Sequence, residues 1–174
     1  MFSNKQEGEL TMTRVKVFLL FSSLFFLLIF GGCKSDGEKE ISVNIYLVAN
    51  EGSKLNGKTI GCNDILVPIT KNVLVKNNDV EAALNELLIT KDSGELKNFV
   101  KGPSLIIYQV TIAGGIADIY LKGDFHLSGI CDIPRIKEQL YETVKQFSDI
   151  RKVKIYINNE TLESYFSVSE KGFK

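Results

Sequence analysis

Between Ser104 and Phe147 the sequence SLIIYQVTIAGGIADIYLKGDFHLSGICDIPRIKEQLYETVKQF admits few backbone arrangements. Leu105 to Ile112 is rich in β-branched and aromatic residues, and Pro103 before it favours an extended entry. Gly114-Gly115 takes positive φ without steric cost and Ile116 to Leu121 returns in alternation, so the segment predicts a β-hairpin. Asp132 predicts a helix cap, Pro134 fits a first helical turn, and Ile133, Ile136, Leu140, Val144 and Phe147 recur at steps of three or four. A hairpin with an amphipathic helix laid across it is the expected core.

The flanking segments supply the rest of a fold. Ile41 to Ala49 alternates, with Ile41, Val43, Ile45 and Leu47 on one side, which predicts a half-buried strand. Glu51 to Asn63 has no period and predicts a loop that delivers Cys62 to the extended run Ile65 to Ile69, where Pro68 predicts an edge position or one outside the ladder. Asn78 or Asp79 caps the next expected helix, with Glu81 as capping-box partner and Val80, Ala83, Leu84, Leu87 and Leu88 as its buried stripe. Lys91 to Lys101 predicts a further short helical turn around Leu96, Phe99 and Val100. Lys152 to Ile157 predicts a strand with Val153, Ile155 and Ile157 inward, Asn158-Asn159 a turn, and Leu162 to Val168 a last strand or turn. Together these predict an α+β fold: a two-layer sandwich with helices on one face of a mixed or mainly antiparallel sheet.

Ahead of this lies Val17 to Phe30, an apolar run preceded by Arg14 and Lys16 and followed by Gly31-Gly32-Cys33. Fourteen helical residues reach about 21 Å, short of the roughly 30 Å hydrocarbon core, so the run predicts an export signal rather than a permanent span. Starting at Met12 instead of Met1 would give the signal a more compact basic end. Phe30-Gly31-Gly32-Cys33 resembles a bacterial lipobox, in which the cysteine is lipidated and becomes the mature N-terminus; Phe30 departs from the usual leucine. The expected organisation is a lipoprotein signal peptide over 1–32, a polar tether over 33–40, a domain over 41–168 and a tail over 169–174. An ordinary signal peptide or an uncleaved anchor, with Cys33 incidental, is the alternative. A lipid on Cys33 would hold the domain at the extracytoplasmic face of the cell membrane or outer membrane, provided more than one chain is attached.

Beyond residue 32 the chain holds 18 basic and 19 acidic residues, which excludes the electrostatic footprint of a nucleic-acid binder. His126, the one histidine, has no His or Cys neighbour at ligand spacing, and no nucleophile-elbow, zincin or phosphate-loop motif occurs. Of the carboxylates, Asp132 suits a helix cap and Asp118 the solvent side of a strand. No metal, cofactor or catalytic site is expected.

The segments VNIYLVANEG, GCNDILVPITKNV, DVEAALNELL, VTIAGGIADIYLKGDF and PRIKEQLYETVKQFSDIRKVKIYINNETL, in that order over Ile41 to Tyr165, resemble the GerMN domain of sporulation and spore germination proteins. The chain departs from that family at Asn158-Asn159, where Asn-Gly is common, and in holding one copy. The resemblance implies a fold similar to the ring-building motif, an α/β module that oligomerises in secretion and sporulation machines, and no catalysis.

Cys62 and Cys131 are the two thiols left beyond Cys33, an even count in an exported chain. They sit at element edges, and the family resemblance strengthens the expectation that they form a disulfide; two separately buried thiols are the alternative. Strand parity turns Tyr46, Tyr120 and Tyr156 away from the helices, a candidate interaction face if the strands are adjacent. The expected partners are the membrane, through lipid on Cys33, and envelope proteins or a second copy, in an assembly or scaffold role. Cell-wall glycan or peptide, with peptidoglycan as the polymer, is the alternative ligand.

Overall fold

A computed structural model of the chain describes residues 39–172 other than residue 103, with side chains as far as residue 167. The apolar run, Cys33, most of the expected tether and the last two residues lie outside the described residues.

The alternating pattern after the tether forms β1 (Lys39–Ala49). It pairs antiparallel with β3 (Ile65–Val75) along its whole length, from Lys39 opposite Val75 to Ala49 opposite Ile65. Pro68 sits within this ladder opposite Tyr46, on a strand whose far side is covered only at its start. A proline has no N–H to give a neighbour, so the edge reading holds and the alternative outside the ladder does not. The cover is β2 (Lys58–Thr59), a short strand within the segment expected to be loop. A 3-10 turn (Gly61–Asn63) leads from β2 into β3.

Helix α1 (Asp79–Ile89) starts as its capping signal predicts: the Asn78 side chain accepts a 2.8 Å hydrogen bond from the Glu81 N–H. Val80, Ala83, Leu84 and Leu87 form its buried face. The helical turn expected over Lys91–Lys101 is absent. The segment instead folds back through a Ser93–Leu96 bridge into β4 (Leu96–Lys97), which pairs with Val48 and Ala49 of β1. Asn98 explains the preference. It is buried, donates to the carbonyls of Leu87 and Thr90 at the end of α1, and accepts from the Val100 N–H, which a helix would have bonded internally.

The hairpin is β5 (Ile106–Ala113) and β6 (Ile116–Lys122), turning through Gly114 and Gly115 at φ +55° and +75°. Its ladder slips by one residue at Tyr108, a β-bulge. Helix α2 (Asp132–Lys145) then crosses over and delivers β7 (Lys152–Ile157) parallel to β6, Tyr120 opposite Tyr156. Asp132 is not the cap. Cys131 holds that position, and Asp132 is the first helical residue, its carboxylate accepting from the Ser128 N–H at 2.7 Å. Asn158-Asn159 turns at φ +50° and +71° into β8 (Glu160–Thr161). The last segment is neither strand nor turn but helix α3 (Leu162–Gly172). The Ser164 N–H donates to the Thr161 hydroxyl at its start, and Leu162 and Phe166, four residues apart, are both buried.

The strands make two four-stranded sheets, ordered β2-β3-β1-β4 and β5-β6-β7-β8. The fold is an α+β sandwich of mixed and antiparallel strands with flanking helices. One core serves both sheets: Ile45 and Leu47 from β1, Ile119 and Leu121 from β6, and Ile155 and Ile157 from β7 meet Leu84, Ile136, Leu140 and Phe166 of the helices. Helix α2 does a second job at the free edge of β1. Gln146 accepts from the Asn44 N–H and donates to the Asn44 carbonyl, both at 2.7 Å, and Gln139 donates to the Tyr46 carbonyl at 2.7 Å. Two glutamines seven residues apart thus complete hydrogen bonds that a neighbouring strand would have made.

Candidate functional site

Two places carry the residues singled out from the sequence. The first is the junction between the β2–β3 turn and the start of α2. Cys62 and Cys131 are joined there as a disulfide, with their Cα atoms 5.9 Å apart. Cys62 and Asn63 both adopt positive φ, a conformation unusual for residues with a Cβ. Beside the disulfide, Asp64 is buried, takes the Glu51 N–H at 3.2 Å and is bonded by Arg135 Nε. The Arg135 Nη1 reaches Asp132 at 3.0 Å, and the guanidinium lies 4.7 Å from the centroid of the Phe99 ring. Burial works against the charge of Arg135, but the hydrogen bonds it donates to Asp64 and Asp132, with the charges of those carboxylates, together outweigh it and hold its pKa above the ordinary value. Each of the four carboxylate oxygens of Asp64 and Asp132 accepts a hydrogen bond from a protein donor, so the cluster works as a clamp.

The second place is the outer face of the β5–β8 sheet. On β6 and β7 the core side holds Ala117, Ile119, Leu121, Ile155 and Ile157, so the opposite parity faces out. Tyr120 and Tyr156 meet there with ring centroids 4.9 Å apart and planes 11° from parallel. Such a pair contributes about 0.5–1.5 kcal/mol beyond its buried area. Beside it, the Lys122 ammonium lies 3.5 Å from the centroid of the Tyr108 ring, and Lys154 reaches Asp118 at 3.5 Å. Tyr46 does not join them. It belongs to β1 in the other sheet, part-buried near Lys58 and Glu142, where desolvation and then the Glu142 charge push its phenol pKa up. Adjacency was the condition on a three-tyrosine face, and the division into two sheets meets it for Tyr120 and Tyr156 alone. Tyr108, placed on this face by the bulge, was missed because strand parity cannot foresee an inserted residue.

His126 is exposed, its backbone N–H bonded to the Lys101 carbonyl. Among the described residues, no group of three or more His, Cys, Asp or Glu is arranged to hold a metal ion. None of the helices among them is long and apolar enough to cross a membrane.

The fold and the Cys62–Cys131 junction define a class of protein, a disulfide-tied α+β sandwich module. The chain matches the family described as Germane: Sporulation and spore germination over residues 44–163, and it belongs to that family. Among solved structures it is similar to the tandem GerMN domains of the sporulation protein GerM from Bacillus subtilis, with a TM-score of 0.51 at 18% identity, covering 76% of this chain. The chain spans 43% of that tandem structure's length. The first GerMN domain of the same protein matches with a TM-score of 0.48 at 18% identity, over 71% of this chain and 86% of the other. The likeness to the tandem structure is one of fold. No curated protein sequence matches the chain.

Proposed function

We propose that the protein is a non-catalytic lipoprotein of the cell envelope, anchored by lipid on Cys33, whose domain is an assembly or scaffold module acting through protein contacts. Its setting is sporulation, germination or a related envelope function. The observation that carries this reading is membership of a sporulation and germination family by a domain whose polar clusters are used internally. Its open sheet face is left to make contacts. The apolar run ending at Gly31-Gly32-Cys33 supports the anchor.

Glycan binding is the second reading, and the paired rings of Tyr120 and Tyr156 on the outer sheet face favour it. Their mutual stacking weighs against it, since a sugar platform needs a free ring face and each ring has already committed one. Feeding cells labelled fatty acid tests the anchor: the label should appear on the wild-type protein and vanish in Cys33→Ala, and persistent labelling of the variant ends the lipoprotein reading. Crosslinking in the native envelope followed by mass spectrometry tests the scaffold role. Recovery on peptidoglycan that depends on Tyr120 and Tyr156, with no protein partner, would replace it by the glycan reading.

A further inference from the structure

Building on the assembly reading, we infer that the outer edge of β5 pairs with the same edge of a second copy of this chain, antiparallel and centred on Thr111. The sheet ends at β5, so the outward backbone groups of that strand have no strand partner among the described residues. Natural sheet edges are guarded by brevity, proline, charge or a covering segment. The other edges here have such guards: β4 and β8 are two residues long, and β3 carries Pro68 and Lys71 with β2 over its first residues. Strand β5 lacks brevity, proline and charge; helix α1 packs against it, but among the described residues no strand pairs with its outer edge. Ile106–Ala113 contains no charge and no proline, and Ile106, Tyr108 and Ile112 are 53%, 60% and 39% exposed.

The same features select a copy of itself as the partner. An uncharged edge offers no counter-charge to a charged segment, and set against itself it brings no like charges together. Parity then limits the register to residue-centred axes, and the Tyr108 bulge and the Gly114 turn, which bound the regular stretch Gln109–Ala113, centre it on Thr111. Val110 and Ile112 lie on the core side with Ile119 and Ala117, while Gln109, Thr111 and Ala113 lie on the outer side with Tyr120, Asp118 and Ile116. A two-fold axis at Thr111 sets Thr111 against Thr111, Val110 against Ile112 and Gln109 against Ala113, so every pair shares a face. An axis between Gln109 and Val110 would oppose an outer residue to a core-side one and is rejected. The half-exposed Val110 and Ile112 cover each other across the axis, and each Asp118 behind Thr111 keeps its Lys154. The result is an isologous contact and one continuous eight-stranded sheet.

The test uses the full-length chain in membranes. Thr111→Cys, mildly oxidised, should give a covalent dimer on a non-reducing gel, whereas Asn72→Cys on the exposed surface of β3 should stay monomeric. Adding Ile112→Asp to Thr111→Cys should abolish the dimer. Peptide mapping must show that the Cys62–Cys131 link survives, and Gln109→Pro is the substitute if it does not. A Thr111→Cys chain that stays monomeric, or a dimer that Asn72→Cys forms equally well, overturns the pairing. Position 111 linking instead to a different envelope protein also overturns it, yet leaves the assembly reading standing; no protein partner by general crosslinking would remove that reading too.

Discussion

Replacing Arg135 by methionine should unlock the junction between the β2–β3 turn and helix α2. Methionine keeps most of the side-chain volume and a contact with Phe99, so the change removes chiefly the charge. What remains is two carboxylates with their side chains 2% and 6% exposed, Asp64 and Asp132, facing each other without a cation. Breaking a buried pair from one side costs about 3–5 kcal/mol. Asp64 retains the Glu51 N–H and Asp132 the Ser128 N–H, which places the expected loss near the lower end, about 3 kcal/mol. For a domain of this size that corresponds to a melting-temperature drop of roughly 10 °C. Arg135→Lys should recover only part, since one ammonium cannot span both carboxylates as the guanidinium fork does. Equilibrium urea unfolding with an unchanged m-value is the assay, and the Asp64→Asn, Arg135→Met cycle isolates the pair. A loss under about 1 kcal/mol would refute the reasoning, for it would mean the carboxylates were solvated rather than held by Arg135.

Reducing Cys62–Cys131, which closes a loop of sequence separation 69, should cost about 4 kcal/mol in the chain-entropy model, read as a melting temperature more than about 10 °C lower; an unchanged melt would refute it. Gln139→Leu should cost about 2–4 kcal/mol in the same unfolding assay, because it strands the Tyr46 carbonyl and the Phe99 N–H, and a cost near zero would show that β1's edge finds other partners. Gly123→Ala should be worse than Gly114→Ala: a Cβ at Gly123 would stand against the Ser104 carbonyl at φ +105°, whereas Gly114 opens to solvent. At Glu163 burial raises the carboxyl pKa, but the hydrogen bond from Tyr141, a backbone hydrogen bond and the Lys137 charge together outweigh it and leave the pKa below the ordinary value. The stabilisation is therefore present above the unfolded pKa and lost as pH falls through the lower folded one. NMR titration should find the Glu163 pKa rising towards the ordinary range in Tyr141→Phe, and an unmoved titration would dismiss the hydrogen bond as a cause.

Local pattern determined much of this protein on its own. The hairpin and its Gly114-Gly115 turn, the Asn78 cap with Glu81, the stripe from Ile133 to Val144 and the strand of Val153, Ile155 and Ile157 rest on interactions a few residues apart, so propensity and periodicity carry them. The pairing of Cys62 with Cys131 also came within reach, because only two thiols lie beyond Cys33. Tertiary structure decided the rest. Leu96 and Phe99 have a helix-like spacing, yet Asn98 binds the end of α1 and the segment becomes β4. Leu162 to Val168 reads as strand or turn, yet Leu162 and Phe166 both find the core only along one face of a helix. Gln139 and Gln146 look like polar residues beside an apolar stripe until the unfinished edge of β1 lies next to them. Whether Tyr46 stands with Tyr120 and Tyr156 depends on which strands are neighbours, and period-two parity specifies a side chain's face without specifying its sheet. Strand partners are chosen by burial and edge completion between segments far apart in sequence, a global free-energy balance that no local window contains.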